Sequence, residues 1–136
     1  MTFLPLLLTT LQAATAPTTT DFTQSIRPVL AENCGGCHNQ QGQIPRENPM
    51  LLRLSVSEHS VADSNPLKTT LGVATINSYP ELHGKPRVDP GSAETSTIFL
   101  RMSDRNKFPM PPLATKFADT EGGVAAVRAW IESLSP

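Results

Sequence analysis

Cysteine is scarce in this chain, and so are aromatic residues, net charge and long apolar runs. The two cysteines stand three apart, so a disulfide between them would be strained and would close almost no loop. A net charge of -1 at pH 7 lacks the basic excess that nucleic-acid binding requires. The apolar stretch from Phe3 to Leu11 is too short to cross a membrane. Five Phe, one Tyr and one Trp supply little aromatic bulk, and thirteen Pro imply long stretches of irregular backbone. There is no internal repeat.

What is present fits one domain of ordinary soluble composition, with 136 residues of which 38% are hydrophobic and 17% charged. At the N-terminus, "MTFLPLLLTTLQAATA" joins the apolar stretch to Ala14-Thr15-Ala16, the small-x-small pattern of a secretory cleavage site. No Lys or Arg precedes the stretch, and Pro17 follows the cut. The alternative is a short N-terminal core helix. Residues 1–16 are expected to be a signal peptide, residues 17–21 a flexible lead-in, and residues 22–136 the mature domain. The expected location is the periplasm or another exported compartment.

Periodicity organises the two ends of that domain. Phe22, Ile26, Val29 and Leu30 form one apolar helical face. With Ser25 as N-cap, Pro28 falls in the first turn, where an amide has no intrahelical acceptor anyway. A helix is therefore expected from residue 22 or 25 towards Asn33. Near the C-terminus, Val124, Val127, Ile131 and Leu134 form an apolar stripe with Trp130 beside it, and Asp119 or Thr120 is the candidate N-cap. Residues 39–97, rich in Pro, Gly, Ser, Thr and Asn, show no sustained period. They are expected to be loops, with one or two short helices near residues 50–54 and 55–61.

Both cysteines and one of the three histidines lie in "NCGGCHNQ", residues 33–40. A thioredoxin-type dithiol would use C-x-x-C inside a βαβ pattern, which this chain lacks. A structural zinc site needs four ligands, and beyond this single knuckle only His59 and His83 remain. Covalent haem uses every residue of the motif. On a helical turn Cys34 and His38 are i, i+4 neighbours and Cys37 lies between them. One face then offers two thiols to the vinyl groups and an imidazole to the iron. Gly35 and Gly36 put no bulk between backbone and macrocycle. A large rigid apolar cofactor would also help a core this small, in which only about two-thirds of the unfolded surface is buried.

A haem iron has a sixth position. Methionine there raises the potential and suits electron transfer, histidine lowers it, and an open site suits gas binding or catalysis. The candidates are Met50, Met102, Met110, His59 and His83. Met110 stands out in "FPMPPLAT", where Pro109, Pro111 and Pro112 restrict the loop and hold a thioether at little further ordering cost. Met102 lies at helical spacing from Ile98 and fits a core position. His59 and His83 lie in polar loop sequence.

With "CGGCH", "MPPLAT" and "AWIESL" in place, the chain resembles the monohaem class I cytochromes c. More narrowly, it is similar to the cytochrome c domains of bacterial exported proteins, often fused to or encoded beside quinoprotein-type dehydrogenases. Leu52-Arg53-Leu54, then Pro90, Gly91, Ser96 and Arg101, then Met110 to Leu113 and Trp130-Ile131 follow that pattern. The resemblance spans about residues 22 to 135. It implies an all-α cytochrome c fold around one haem c, bound through Cys34 and Cys37, in which the N- and C-terminal helices cross near a right angle. It implies iron ligation by His38 and Met110. It also implies that a backbone carbonyl in a Pro-containing loop after the motif, in the stretch "QIPRENP" with Pro45 and Pro49, orients the His38 ring.

The leading expectation is an electron carrier, not an enzyme, moving single electrons between a donor dehydrogenase and an acceptor such as an oxidase. The alternatives are a peroxidase-like or gas-binding haem protein with a displaceable sixth ligand, and a purely structural haem protein. From Arg101 to Ala118 four basic residues (Arg101, Arg105, Lys107, Lys116) face one acidic residue, Asp104. That local basic excess is expected to form a docking rim, or else to be ordinary solvated side chains.

Overall fold

The computed structural model describes residues 26–53, 60–76, 79–107, 109–111 and 123–136. The expected signal peptide and lead-in, Phe22, Ser25, His59, Lys116 and the candidate caps Asp119 and Thr120 lie outside the described residues, as do the helix expected at 55–61 apart from its last two residues and the end of the "MPPL" segment.

The described residues form a small, mostly helical domain with four helices, no sheet and substantial loops. The helices are α1 (Arg27–Asn33), α2 (Asn65–Lys68), α3 (Thr97–Ser103) and α4 (Ala125–Ser133), with a 3-10 turn at Ala93–Thr95 before α3. None is long and apolar enough to cross a membrane. Helices of seven or nine residues are too short to stand alone in water, so packing holds them.

That packing is one apolar cluster. Ile26 and Leu30 come from the α1 segment, Leu52 from the loop after the cysteine motif, and Val88 from the central segment. Ile98, Phe99 and Met102 come from α3, and Val127, Trp130 and Ile131 from α4. Each large side chain taken fully out of water contributes on the order of 1.5–3 kcal/mol, and Leu30, Val88, Val127 and Ile131 are at most 1% exposed. Met102, at 2% exposure, is a core residue, as its spacing from Ile98 predicts.

The starts expected for the two terminal helices, at residue 22 or 25 and at Asp119 or Thr120, lie outside the described residues. α1 begins at Arg27 with Ile26 at the N-cap and Pro28 in its first turn, so proline starts this helix. α4 begins at Ala125 with Val124 at the cap position. The stripe is otherwise where it is expected, with Val127 and Ile131 at 0% exposure and Trp130 at 6%. Arg128 lies over the Phe99 ring at 4.5 Å and pairs with Glu94 and Glu132, fastening α4 to the 3-10 turn.

The central segment is irregular but ordered by its own hydrogen bonds. Residues 50–53 are not helical, and the short helix in this region is α2. Residues 70–76 and 84–88 run side by side through isolated bridges at Leu71–Val88 and Ala74–Pro86. The Arg87 N–H donates to the Val73 carbonyl at 2.8 Å and the Thr75 N–H to the Lys85 carbonyl at 2.7 Å. The first amides of α3 have no side-chain cap. Instead the Thr97 and Ile98 N–H groups donate to the Pro86 and Arg87 carbonyls, each at 3.0 Å, which satisfies helix donors that would otherwise be orphaned. The Gly91 N–H donates to the Ile131 carbonyl at 2.9 Å. With φ at 83°, this position favours glycine, and it docks the central segment on the end of α4.

Candidate functional site

α1 runs directly into the cysteine motif. The Cys34 and Gly35 N–H groups both donate to the Leu30 carbonyl, at 3.0 and 2.7 Å. One turn later the His38 N–H donates to the Cys34 carbonyl at 2.8 Å and the Cys37 N–H to the same oxygen at 3.2 Å. Cys34, Cys37 and His38 thus share one helical turn, the geometry that their spacing predicts. Asn39 closes the turn: its Nδ2 donates to the Gly35 and Gly36 carbonyls at 2.7 and 2.9 Å, and its Oδ1 accepts from the Gln41 N–H at 2.9 Å.

The chain then folds back tightly. A Cβ at Gly42 would lie 1.7 Å from the Cys37 carbonyl oxygen, so the turn requires glycine there. A Cβ at Gly36 meets nothing within 4 Å. Among the described residues, then, backbone packing demands the glycine after the motif and leaves room at the second glycine inside it.

His38 is fixed through its ring. Its Nδ1 lies 3.1 Å from the Met50 carbonyl oxygen, and a carbonyl can only accept, so Nδ1 carries the hydrogen and Nε2 keeps the lone pair. The acceptor sits one residue beyond the stretch flanked by Pro45 and Pro49. A second bond, from the Leu52 N–H to the His38 carbonyl at 2.9 Å, joins the same two segments. Burial pushes the imidazole below its ordinary pKa, and the charges of Arg101 and Arg87 act in the same direction against the opposing bond to Met50. The neutral form, which ligates metals, is the one favoured near pH 7.

Both cysteines are free, Cys34 half-buried and Cys37 exposed. Burial, with a further push from Cys37, raises the Cys34 thiol to about 11. Dithiol exchange uses the free thiolate, which this environment disfavours at Cys34. His83 is exposed, and among the described residues no group of three or more His, Cys, Asp or Glu side chains converges as a metal site.

Met110 sits on a separate segment. It is half-buried, and its N–H donates to the carbonyl of Arg101, in α3, at 3.0 Å. The Arg101 guanidinium lies over the Tyr79 ring at 5.3 Å, and its charge is felt by His38. Of the other methionines, Met102 is spent in the core, and Met50 belongs to the Nδ1 side of His38, where its carbonyl is the acceptor.

In the basic segment, Lys107 pairs with Glu81 at 2.9 Å, with both side chains about half exposed. Asp104 accepts the N–H groups of Asn106 and Lys107 at 3.0 and 2.9 Å, which forms the turn after α3. Sequence reasoning missed Asn39, Gly42, Thr69 and Arg87. An Asn closing a helical turn is a recognisable capping signal, but nothing local marks Arg87. Compared with protein-family models, with curated proteins and with solved structures, the chain matches none of them.

Proposed function

We propose that this chain is an exported monohaem cytochrome c of the class I type, a single-electron carrier between a donor dehydrogenase and an acceptor. Cys34 and Cys37 would hold one haem c by thioether bonds, and His38 Nε2 and Met110 Sδ would ligate its iron. The observation that carries this reading is the His38 ring: a neutral imidazole on the same turn as two free thiols, its Nδ1 committed to the Met50 carbonyl at 3.1 Å. A carbonyl bond of this kind fixes the tautomer and ring plane of a metal-ligating histidine and raises its basicity.

When bound, the haem supplies a one-electron ferrous/ferric couple. The chain's own residues would tether it, orient the imidazole and deliver a thioether. The shared core of α1 and α4 supports the cytochrome c fold, in which those two helices pack together. Export is supported by the apolar, small-x-small N-terminus. The basic stretch from Arg101 to Ala118, part of which adjoins Met110, would serve as a docking rim for an acidic redox partner if its charges are more than ordinary solvated side chains, since such encounters are small and rely on electrostatic steering.

Absorption spectra of the purified protein test the assignment. A reduced c-type α-band, with haem that stays on the chain through acid-acetone extraction, is expected, together with a weak far-red thioether-to-iron band in the oxidised form. Extractable haem, or zinc on metal analysis, would sink it.

A further inference from the structure

Arg87 is 6% exposed, and among the described residues no carboxylate pairs with it. A buried cation is costly unless its donors are used. Here they are used on backbone alone. One guanidinium nitrogen, Nη1, donates to the Thr69 carbonyl at 2.7 Å and the Pro49 carbonyl at 3.2 Å. The other, Nη2, donates to the Asn48 carbonyl. Thr69 extends the grip: its hydroxyl accepts the Leu51 N–H at 2.9 Å and donates to the Asn65 carbonyl at 2.7 Å. The next amide, Leu52, is taken by the His38 carbonyl at 2.9 Å.

Residues 48, 49, 51 and 52 are therefore each held by a hydrogen bond, and the carbonyl between them, that of Met50, is the one that receives the His38 ring. Arg87 itself is immobilised by backbone bonds on both sides, to Val73 and from Ile98. We propose that Arg87, acting with Thr69, is the positioning residue for the proximal histidine: its planar fork clamps the 48–51 loop so that the Met50 carbonyl stays on Nδ1. The central segment, irregular as it is, is then the buttress of the site.

This proposal rests on the haem reading for its redox consequence, but the clamp has a signature of its own. Lysine keeps the charge of Arg87 and loses the fork geometry; glutamine loses both. A looser Met50 carbonyl weakens the bond to Nδ1, makes the imidazole less basic and favours ferrous iron, so Arg87→Lys raises the midpoint potential. Removing the buried positive charge favours ferric iron instead, so Arg87→Gln falls below Arg87→Lys. Thr69→Val, which deletes the hydroxyl bridge and leaves Arg87 in place, shifts the potential in the same direction as Arg87→Lys, and Thr69→Ser restores it.

The experiment measures, on the purified wild-type protein and these four variants, covalent haem per chain, midpoint potential and exchange of the Leu51 and Leu52 amides. Exchange at those amides is expected to accelerate at least about tenfold in Arg87→Lys and Thr69→Val, as local opening becomes easier. Absence of covalent haem from the wild type defeats the functional reading alone, and the amides still decide the clamp. Wild-type exchange and potential in both Arg87→Lys and Thr69→Val overturn the proposal. If the arginine variants fail to fold, the Thr69→Val and Thr69→Ser pair decides it alone.

Discussion

His38 and Met110 are held in opposite ways. His38 is held by its side chain, with the ring Nδ1 bonded to the Met50 carbonyl on a loop that is itself tied down at nearly every residue. Met110 is held by its backbone, through one N–H bond to Arg101, with prolines at 109 and 111 on either side. The difference matches what each group would need in the proposed ligation. An imidazole has a plane and two nitrogens, so both orientation and tautomer must be imposed. A thioether has neither a proton to place nor a plane to fix. It needs only to be delivered, and a stiff stretch of backbone is sufficient for that.

The contrast breaks most severely on the proximal side. Gly42→Ala forces a Cβ onto the Cys37 carbonyl at 1.7 Å, and backbone must move within the turn that carries the ligands. A loss of roughly 2–4 kcal/mol is expected, from strain and overpacking together, measured by denaturant unfolding. Gly36→Ala, with nothing within 4 Å of the new methyl, stays within about 0.5 kcal/mol of the parent. Equal effects from the two would remove the close turn from the account.

Comparable in size is a pair of methionine truncations that separates core from candidate ligand. Met102→Ala empties a core position at 2% exposure and should cost about 2–5 kcal/mol, with the far-red band intact. Met110→Ala, at a half-buried loop position, should cost less stability. If Met110 is the sixth ligand as proposed, its truncation should also abolish that band and lower the midpoint potential, because a thioether favours ferrous iron. Exchange of these two outcomes would move the sixth ligand to Met102.

The turn that carries Cys34, Cys37 and His38 was legible because it is local: three residues within one turn report their own geometry through spacing alone. The stripe of α4 was legible because a 3.6-residue period survives any detail of packing. The clamp was not. Arg87 lies 38 residues from Pro49 and 18 from Thr69, and a buried arginine serving carbonyls leaves no pattern in a segment that reads as loop. Nor was α3 marked by a cap: its start is set by the Pro86 and Arg87 carbonyls that receive its first amides, partners that amphipathic periodicity does not report. The same applies to glycine: spacing singled out Gly35 and Gly36, while the position the backbone requires is Gly42.

The smallest effect concerns the rim beside Met110, where the structure sharpens a charge count into a pair. By sequence the segment is basic, yet Lys107 is engaged by Glu81 at 2.9 Å, and the lysine holds that carboxyl below its usual range. Pairs this exposed contribute little to stability, so the consequence lies in the field presented to a partner. Glu81 offsets one basic charge of the cluster formed by Arg101, Arg105 and Lys107. If the rim steers an acidic partner, Glu81→Gln should speed electron transfer at low salt and Lys107→Glu should slow it, each by less than about tenfold. Both variants should converge on the parent rate as salt is raised past about 0.1 M, where screening acts within about 10 Å. Stopped-flow rates against ionic strength decide it. Variants with opposite charge changes but the same rate at every salt concentration would leave the Lys107–Glu81 pair a local feature of the surface with no part in recognition.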